Sequence, residues 1–499
     1  EKTVADGKPA RGPGLPVSGT EATTSDSIRG RYEWVRAKLT DVITRGSVGM
    51  SLSDRVDKVL THRFWGLVTL VVVMGFVFQS IYTWSQPVMD ALGNVITWAG
   101  TRALSPLPAG ILKDLLADGV IGGAGSVLTF LPQIAVLFFF IAILEDCGYM
   151  ARSAFLMDRL FAKLGLSGRS FIPLLSSFAC AVPGILSTRT IADPKERLTT
   201  MLVAPLMSCS ARLPIYTVLI AAFLPGRKIF GFVDERALVL LGLYGMGLVV
   251  ALPVAWILRK CMRTGPAPLF LMELPGYKWP DPHTVGRRVL EQCQAFITNA
   301  GTIILAVAVI VWALGAFPRP APLLAGYQAR RQVIEAQALS APAKASSLDT
   351  LNDQEQGALL RQSWLGRIGR GIEPVFQPLG WDWRVTMAAL ASFPAREVVI
   401  GTLGTIFNSG DGSGGDQHGL GQALITAKRD DGSPVFTVAV ALSLMVFFAL
   451  CAQCASTLAV IRRESGHWGW AVFTFAYMNS LAWVAGALVF RLACVFGLG

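Results

Sequence analysis

Apolar residues in this chain collect in long runs more than in stripes along one helix face. Trp65 to Trp84, Val127 to Leu144, Ala237 to Leu258 and Thr302 to Phe317 carry few or no charges. Each approaches the roughly 20 apolar residues with which a helix crosses the hydrocarbon core. Val435 to Leu450 and Trp468 to Leu492 read the same way, while Leu198 to Leu224 and Val385 to Phe407 are apolar but broken by Pro, Arg or Glu. In lipid a backbone must satisfy its own polar groups, and a helix does so. The pattern predicts an all-α, polytopic transmembrane helical bundle with about eight helices crossing or entering the membrane, some of them broken.

The polar stretches divide the chain. Residues 1–30 are rich in Gly, Pro, Ser and Thr, a composition that buries too little apolar surface to order itself, and are expected to form a disordered linker. With no initiator Met and no apolar signal core, they are expected to be a fragment's cut end within a tether. Residues 31–62 have the amphipathic, charged pattern of a helix lying at the membrane surface. A first membrane half follows over 63–317, then a polar insertion over 318–370, expected to be soluble and helical, and a second membrane half over 371–499. Ser409 to Ser433, which begins with a Gly-rich run, reads as a flexible loop.

Composition agrees with this division. A chain of 499 residues with 53% hydrophobic and 15% charged residues is too apolar for a soluble enzyme. The formal charge of +11 sits in short clusters, Asp54 to Arg63, Arg259 to Arg263, Arg287 with Arg288 and Arg462 with Arg463, rather than on one basic face. Such clusters anchor the cytoplasmic side of a membrane protein, so the expected partner is the lipid bilayer and not nucleic acid, although sequence alone does not fit every cluster to one orientation. No Walker A loop occurs, so nucleotide hydrolysis by that motif is not encoded and no enzyme is expected here. The eight Cys lack the spacing of a secreted disulfide framework and are expected to stay reduced.

Ser177 to Ile191 can be laid beside Ser392 to Ile406, sharing Ser-Phe, a central Ile and Thr-Ile at one spacing. Paired halves of this kind place a site near the bilayer midplane, at interrupted helices whose freed carbonyls and termini meet an ion. Pro183 with Gly184, Pro394 and Pro214 are the candidate break and gate residues. The four His lie in loops or at span ends, which leaves sulfur and carboxylate as ligands for a borderline cation. Cys180, Met207, Cys209 and Cys454 stand in small, polar or helix-breaking contexts, whereas Cys147, Cys261, Cys293, Cys451 and Cys494 read as small hydrophobes. Glu145 and Asp146 end an apolar run, where a carboxylate either serves function or pairs at the interface, with Arg152 the nearest candidate. Arg212, Arg396 and Glu397 are expected to form cross-helix ion pairs, because a buried charge needs a partner.

The strings Leu144 to Arg152, Phe171 to Pro183, Met207 to Pro214 and Phe393 to Thr402 resemble the ferrous iron transport protein B family over roughly Tyr32 to Arg491. The resemblance implies two pseudo-symmetric Gate-type repeats, the first about 127–258 and the second beginning about 291 and interrupted by the insertion. It implies Fe2+ as the transported substrate, carried into the bacterial cytoplasm across the cytoplasmic (inner) membrane. It also implies a G-protein domain acting with GTP and Mg2+, joined in cis or supplied in trans, whose absence here leaves truncation, the favoured reading, cleavage and a separately encoded chain open, together with a small cytosolic accessory iron-transport protein and a possible homo-oligomer. Cys180 and Cys454 match the family's paired gate cysteines, and Glu145 and Asp146 its acidic motif. One departure is Gln453, where the family usually has Pro before the second gate cysteine. Two rival readings are a membrane thiol oxidoreductase using Cys180 with Cys454, or Cys451 with Cys454, and a Gate-type carrier of a nucleoside or other small metabolite.

Overall fold

The computed structural model describes residues 33–35, 39 and 52–497, apart from 109, 164–166, 225, 227, 230–232, 263–275, 337–340, 394–395, 397, 408–416 and 430–431. The linker expected over 1–30, and the candidates Pro394 and Glu397, lie outside the described residues. The described chain is a multi-pass helical bundle with one small antiparallel ribbon, Lys228–Ile229 with Val233–Asp234. Five helical segments are long and apolar enough to cross a membrane: Trp65–Leu104, Ile111–Asp146, Glu235–Cys261, Val438–Ser465 and Trp468–Val495. The first runs to 40 residues, about 60 Å at the rise of an α-helix, and so extends well beyond the span expected from its apolar run.

Four interrupted elements, two in each half, occupy the middle of the bundle. In the first, Phe171–Ala179 and Ala181–Ser187 are joined at Cys180, whose extended backbone (φ −154°, ψ 131°) turns the chain back on itself. The two arms lie so close that a Cβ on Gly184 would stand 2.8 Å from the Pro173 carbonyl oxygen, so the position tolerates no side chain. The break falls at Cys180 and not at the expected Pro183, which sits within the returning helix, where a proline near a helix start is tolerated. The second element, Pro194–Val203 and Leu213–Phe223, runs onward through its break alongside Glu235–Cys261. Arg236 donates to the Leu224 carbonyl at 3.0 Å, and Gly247 lies against Leu206 and Ser208.

The second half repeats this order. Trp383–Ala391 folds back against Val398–Ile406 as a hairpin, and Val438–Leu450 continues through Cys451 to Cys454 into Ala455–Ser465. The outer end of the first hairpin meets the end of the second broken span, through Arg189 and Glu464. That of the second hairpin meets the other end of the same span, through Phe407 and Phe436. The hairpins therefore enter from opposite ends, the arrangement of an inverted repeat.

The insertion begins at an 84° bend between Thr302–Ala316 and Ala321–Ala336 and packs that second helix against Ala341–Gln362, tied by Arg331 to Glu355 at 3.1 Å. The loop expected over Ser409 to Ser433 is only partly a loop: Gln417–Thr426 is helical, because Leu420 and Leu424, one turn apart, are buried against Leu213–Phe223.

The basic clusters, which sequence alone does not fit to one orientation, gather at one end. Arg152 pairs with Asp57 at 2.6 Å, Tyr277 donates to Asp57, Arg288 meets Glu145 at 3.0 Å, and Asp281 N donates to Asp146. Trp65–Leu104 starts at this end, Glu235–Cys261 finishes there, and Arg462 and Arg463 close Ala455–Ser465 beside Glu464.

Candidate functional site

A helix broken inside a membrane leaves carbonyls and N–H groups without intrahelical partners, so each break must be satisfied by side chains, by another segment or by a ligand. In this bundle the breaks converge. Cys180 from the first hairpin, Met207 and Cys209 from the first broken span, Arg396 from the second hairpin and Cys454 from the second broken span line one cavity of about 130 Å³. Cys454 repeats the extended backbone of Cys180 (φ −155°, ψ 104°), and each cysteine precedes the first turn of a helix. Gln133, Ser456 and Thr457 add oxygen and amide groups to the wall. No carboxylate lines the cavity among the described residues, and no group of three or more His, Cys, Asp or Glu there is close enough to hold a metal ion. No disulfide joins any of the eight cysteines.

Larger cavities flank this one along the same helices. Ala181 and Val182 face the central cavity, whereas Pro183, Leu186 and Ser187 on the same short helix face a basic vestibule of about 780 Å³ lined also by Arg169, Arg288 and Arg463. In the other direction Ala211 and Arg396 face the centre, while Pro214, Val398 and Thr402 face a cavity of about 650 Å³ that reaches Asp114 and Asp118. Pro214 is thus a wall residue in the first turn of its helix, not the break itself.

The acidic motif stands apart. Eight residues of one helix separate Leu137, in the central cavity, from Glu145, about 12 Å along the axis. Glu145 lines the basic vestibule and pairs with Arg288 at 3.0 Å, and Asp146 accepts from the Asp281 backbone at 2.8 Å. Neither pairs with Arg152, which is taken by Asp57 and stacks on the Tyr277 ring at 3.8 Å. Within this structure Glu145 and Asp146 therefore do not share a site with the cysteines.

The ion pairs expected of Arg212 and Arg396 are also corrected. Arg212 is fully buried and donates to the carbonyls of Pro205 (3.2 Å) and Met207 (3.1 Å) and to the Ser208 hydroxyl (3.1 Å). Arg396 donates to the carbonyls of Cys451 (2.9 Å), Gln453 (3.2 Å) and Phe448 (3.3 Å). Among the described residues neither guanidinium forms a salt bridge. Carbonyls freed at a helix break carry partial negative charge and supply what a carboxylate would. Gln453 makes its own tie, accepting from Ser392 Oγ at 3.0 Å and donating to the Ala389 carbonyl at 3.1 Å. That role has one signal in the sequence, the departure from Pro at this position. Ser392, Gln133 and Thr457 carry none, because a polar residue in an apolar run has no visible partner until the breaks are brought together.

The sequence model of the Gate family, described as nucleoside recognition, matches residues 127–223 and 297–468. The model described as ferrous iron transport protein B C terminus matches residues 240–292. An Fe(2+) transporter FeoB of Leptospira interrogans is 39% identical over 444 residues, 89% of this chain and 60% of the relative. An Fe(2+) transport protein A/Fe(2+) transporter FeoB fusion protein of Porphyromonas gingivalis is 38% identical, covering 89% of this chain and 52% of the relative. An Fe(2+) transporter FeoB of Staphylococcus aureus is 33% identical, covering 96% of this chain and 65% of the relative. No solved structure matches. The chain spans about 60% of the length of the curated relatives it matches. With Gate matches on both halves and these relatives along most of its length, the chain belongs to the ferrous iron transport protein B family.

Proposed function

We propose that this chain is the permease part of a GTPase-coupled transporter that carries Fe2+ into the bacterial cytoplasm across the cytoplasmic membrane. The observation that carries the reading is the convergence of Cys180, Cys209, Cys454 and Met207, from three separate helix breaks, on one cavity between inverted repeats. Fe2+ accepts sulfur as well as nitrogen and oxygen donors, and these four side chains are the sulfur donors of the cavity. Dispersed donors suit passage, because an ion must bind well enough to enter and weakly enough to leave. The basic end is the cytoplasmic one on the positive-inside rule. The cavity that reaches Asp118 and the Asp114–Arg319 pair is then the entrance and the arginine-lined vestibule the exit, with Glu145 and Asp146 acting at that exit rather than in the centre.

A G-protein domain, in cis or in trans, would act at the basic end, where Trp65–Leu104 begins, with GTP and Mg2+ bound there and not in this chain. A relative whose printed name fuses an Fe(2+) transport protein A to the transporter supports a small accessory protein as a further partner. The test is anaerobic uptake of radioactive ferrous iron by proteoliposomes containing this chain with its G-protein domain. Cys180→Ser and Cys454→Ser are each expected to lower uptake about tenfold, a difference of roughly 1.4 kcal/mol. Uptake unchanged in both would make the thiols packing residues and end this reading.

A further inference from the structure

At interrupted membrane helices the freed backbone carbonyls are the usual oxygen ligands for a cation. Hard divalent cations such as Mg2+ and Ca2+ take oxygen ligands, and Ca2+ in particular uses backbone carbonyls. In this chain the carbonyls of Phe448, Cys451 and Gln453, released where the second broken span is interrupted, are occupied by the Arg396 guanidinium. Arg396 is 6% exposed, comes from the second hairpin and lines the central cavity beside Cys180, Cys209 and Cys454. A guanidinium does not lose its proton in a protein, so it is a fixed cation already seated on the oxygens an incoming ion would seek.

We propose that Arg396 sets the metal specificity of the cavity by holding these backbone oxygens and leaving sulfur as the main donor. Hard, oxygen-seeking divalent cations are then rejected, and a cation that accepts thiolate is admitted. The inference rests on the reading of the cavity as the ion path. Arg212 is its internal control: it too is buried and holds carbonyls, those of Pro205 and Met207, but its side chain does not line the cavity. The fork of Arg396 reaches three carbonyls at once, which a lysine ammonium cannot do from the same position.

The experiment measures alkylation of Cys454 by a maleimide, read by peptide mass spectrometry under anaerobic reducing conditions. It compares the full chain with Arg396→Gln, Arg396→Lys and Arg212→Gln in the presence of Fe2+, Mg2+ or Ca2+. In the unaltered chain Fe2+ is expected to protect Cys454, and Mg2+ and Ca2+ are not. In Arg396→Gln, protection by Mg2+ and Ca2+ should appear, with the apparent Kd for each falling about tenfold or more relative to Fe2+. Arg396→Lys should gain part of that change, and it stands as the test if the glutamine variant does not fold. Arg212→Gln should lower thermal stability and leave the order of metals unaltered. Fe2+ protection retained with an unchanged order in a folded Arg396 variant would overturn the inference and spare the ion path. Absence of Fe2+ protection in every form would overturn both.

Discussion

The two ends of the bundle close the same topological corner with different chemistry. At the basic end the returning arm of the first hairpin, the start of the first broken span and the end of the second meet on Glu464. That carboxylate is only 3% exposed and accepts from Arg189 at 2.5 Å and Arg197 at 2.8 Å. At the opposite end the finish of the first broken span, the outer end of the second hairpin and the start of the second broken span meet on rings. Phe436 lies 6.0 Å from Phe223 and 5.8 Å from Phe407 by ring centroids. A buried aromatic side chain gives up its burial of roughly 150–250 Å² only when the corner comes apart. The arginines of the ion pair, 57% and 30% exposed, can take water in exchange for Glu464, so parting it leaves chiefly the cost at the buried carboxylate. The corners thus differ in the cost of opening: the ionic one is the cheaper to part, and it adjoins the vestibule that Arg189 helps to line.

The largest effect expected is at the aromatic corner. Phe436→Ala leaves a cavity in a site only 3% exposed and should cost about 3–4 kcal/mol, read as the fall in thermal unfolding temperature of the protein in detergent. A smaller loss than that at Glu464 would reverse the ranking of the two ends.

Glu464→Gln should cost about 2 kcal/mol, because it deprives two arginines of charge-assisted hydrogen bonds while leaving them partly in water. Arg189→Ala, which removes the more exposed partner, should cost no more than about 1 kcal/mol. High ionic strength should narrow the gap between Glu464→Gln and the unaltered chain, since exposed charges are screened, and leave the Phe436→Ala gap in place. Equal salt dependence for the two variants would show that the corners do not differ in kind.

How much of this was legible from sequence follows from the range of the signals. The apolar runs at 237–258 and 468–492 appear in the structure as Glu235–Cys261 and Trp468–Val495, since continuous hydrophobicity is a local property. Cys180, Met207, Cys209 and Cys454 were legible as candidates from small, polar and helix-breaking neighbours, and they share one cavity. The break at Cys180 in place of Pro183 was not legible, because it depends on how closely the returning arm packs at Gly184. Nor were the partners of Arg212 and Arg396: the rule that a buried charge needs a counter-charge points to carboxylates, whereas the breaks themselves supply carbonyls. Glu464, a charged residue at a helix end in the sequence, gains its meaning from residues more than 260 positions away.

The smallest effect sharpens the same comparison, through a second acidic tie at the basic end. Asp57 accepts from Arg152 and from the Tyr277 hydroxyl, both at 2.6 Å, and the Arg152 hydrogen bond holds its carboxyl below the usual carboxylate range. A carboxyl whose pKa is depressed by folding adds stability that is fully present above its unfolded value, near 3.9, and that is lost as pH falls through the lower folded value. Stability from this tie should therefore stay level from neutral pH to about pH 5, then decline by about 1–2 kcal/mol as Asp57 takes up a proton. Asp57→Asn should show that loss already at neutral pH, and its unfolding temperature should converge on that of the unaltered chain in acid. Phe436→Ala, which removes no titrating group, should instead run parallel to the unaltered chain at every pH. Thermal unfolding followed across this range distinguishes the two, and an Asp57→Asn curve that stays parallel throughout would show that the tie contributes nothing to holding the basic end closed.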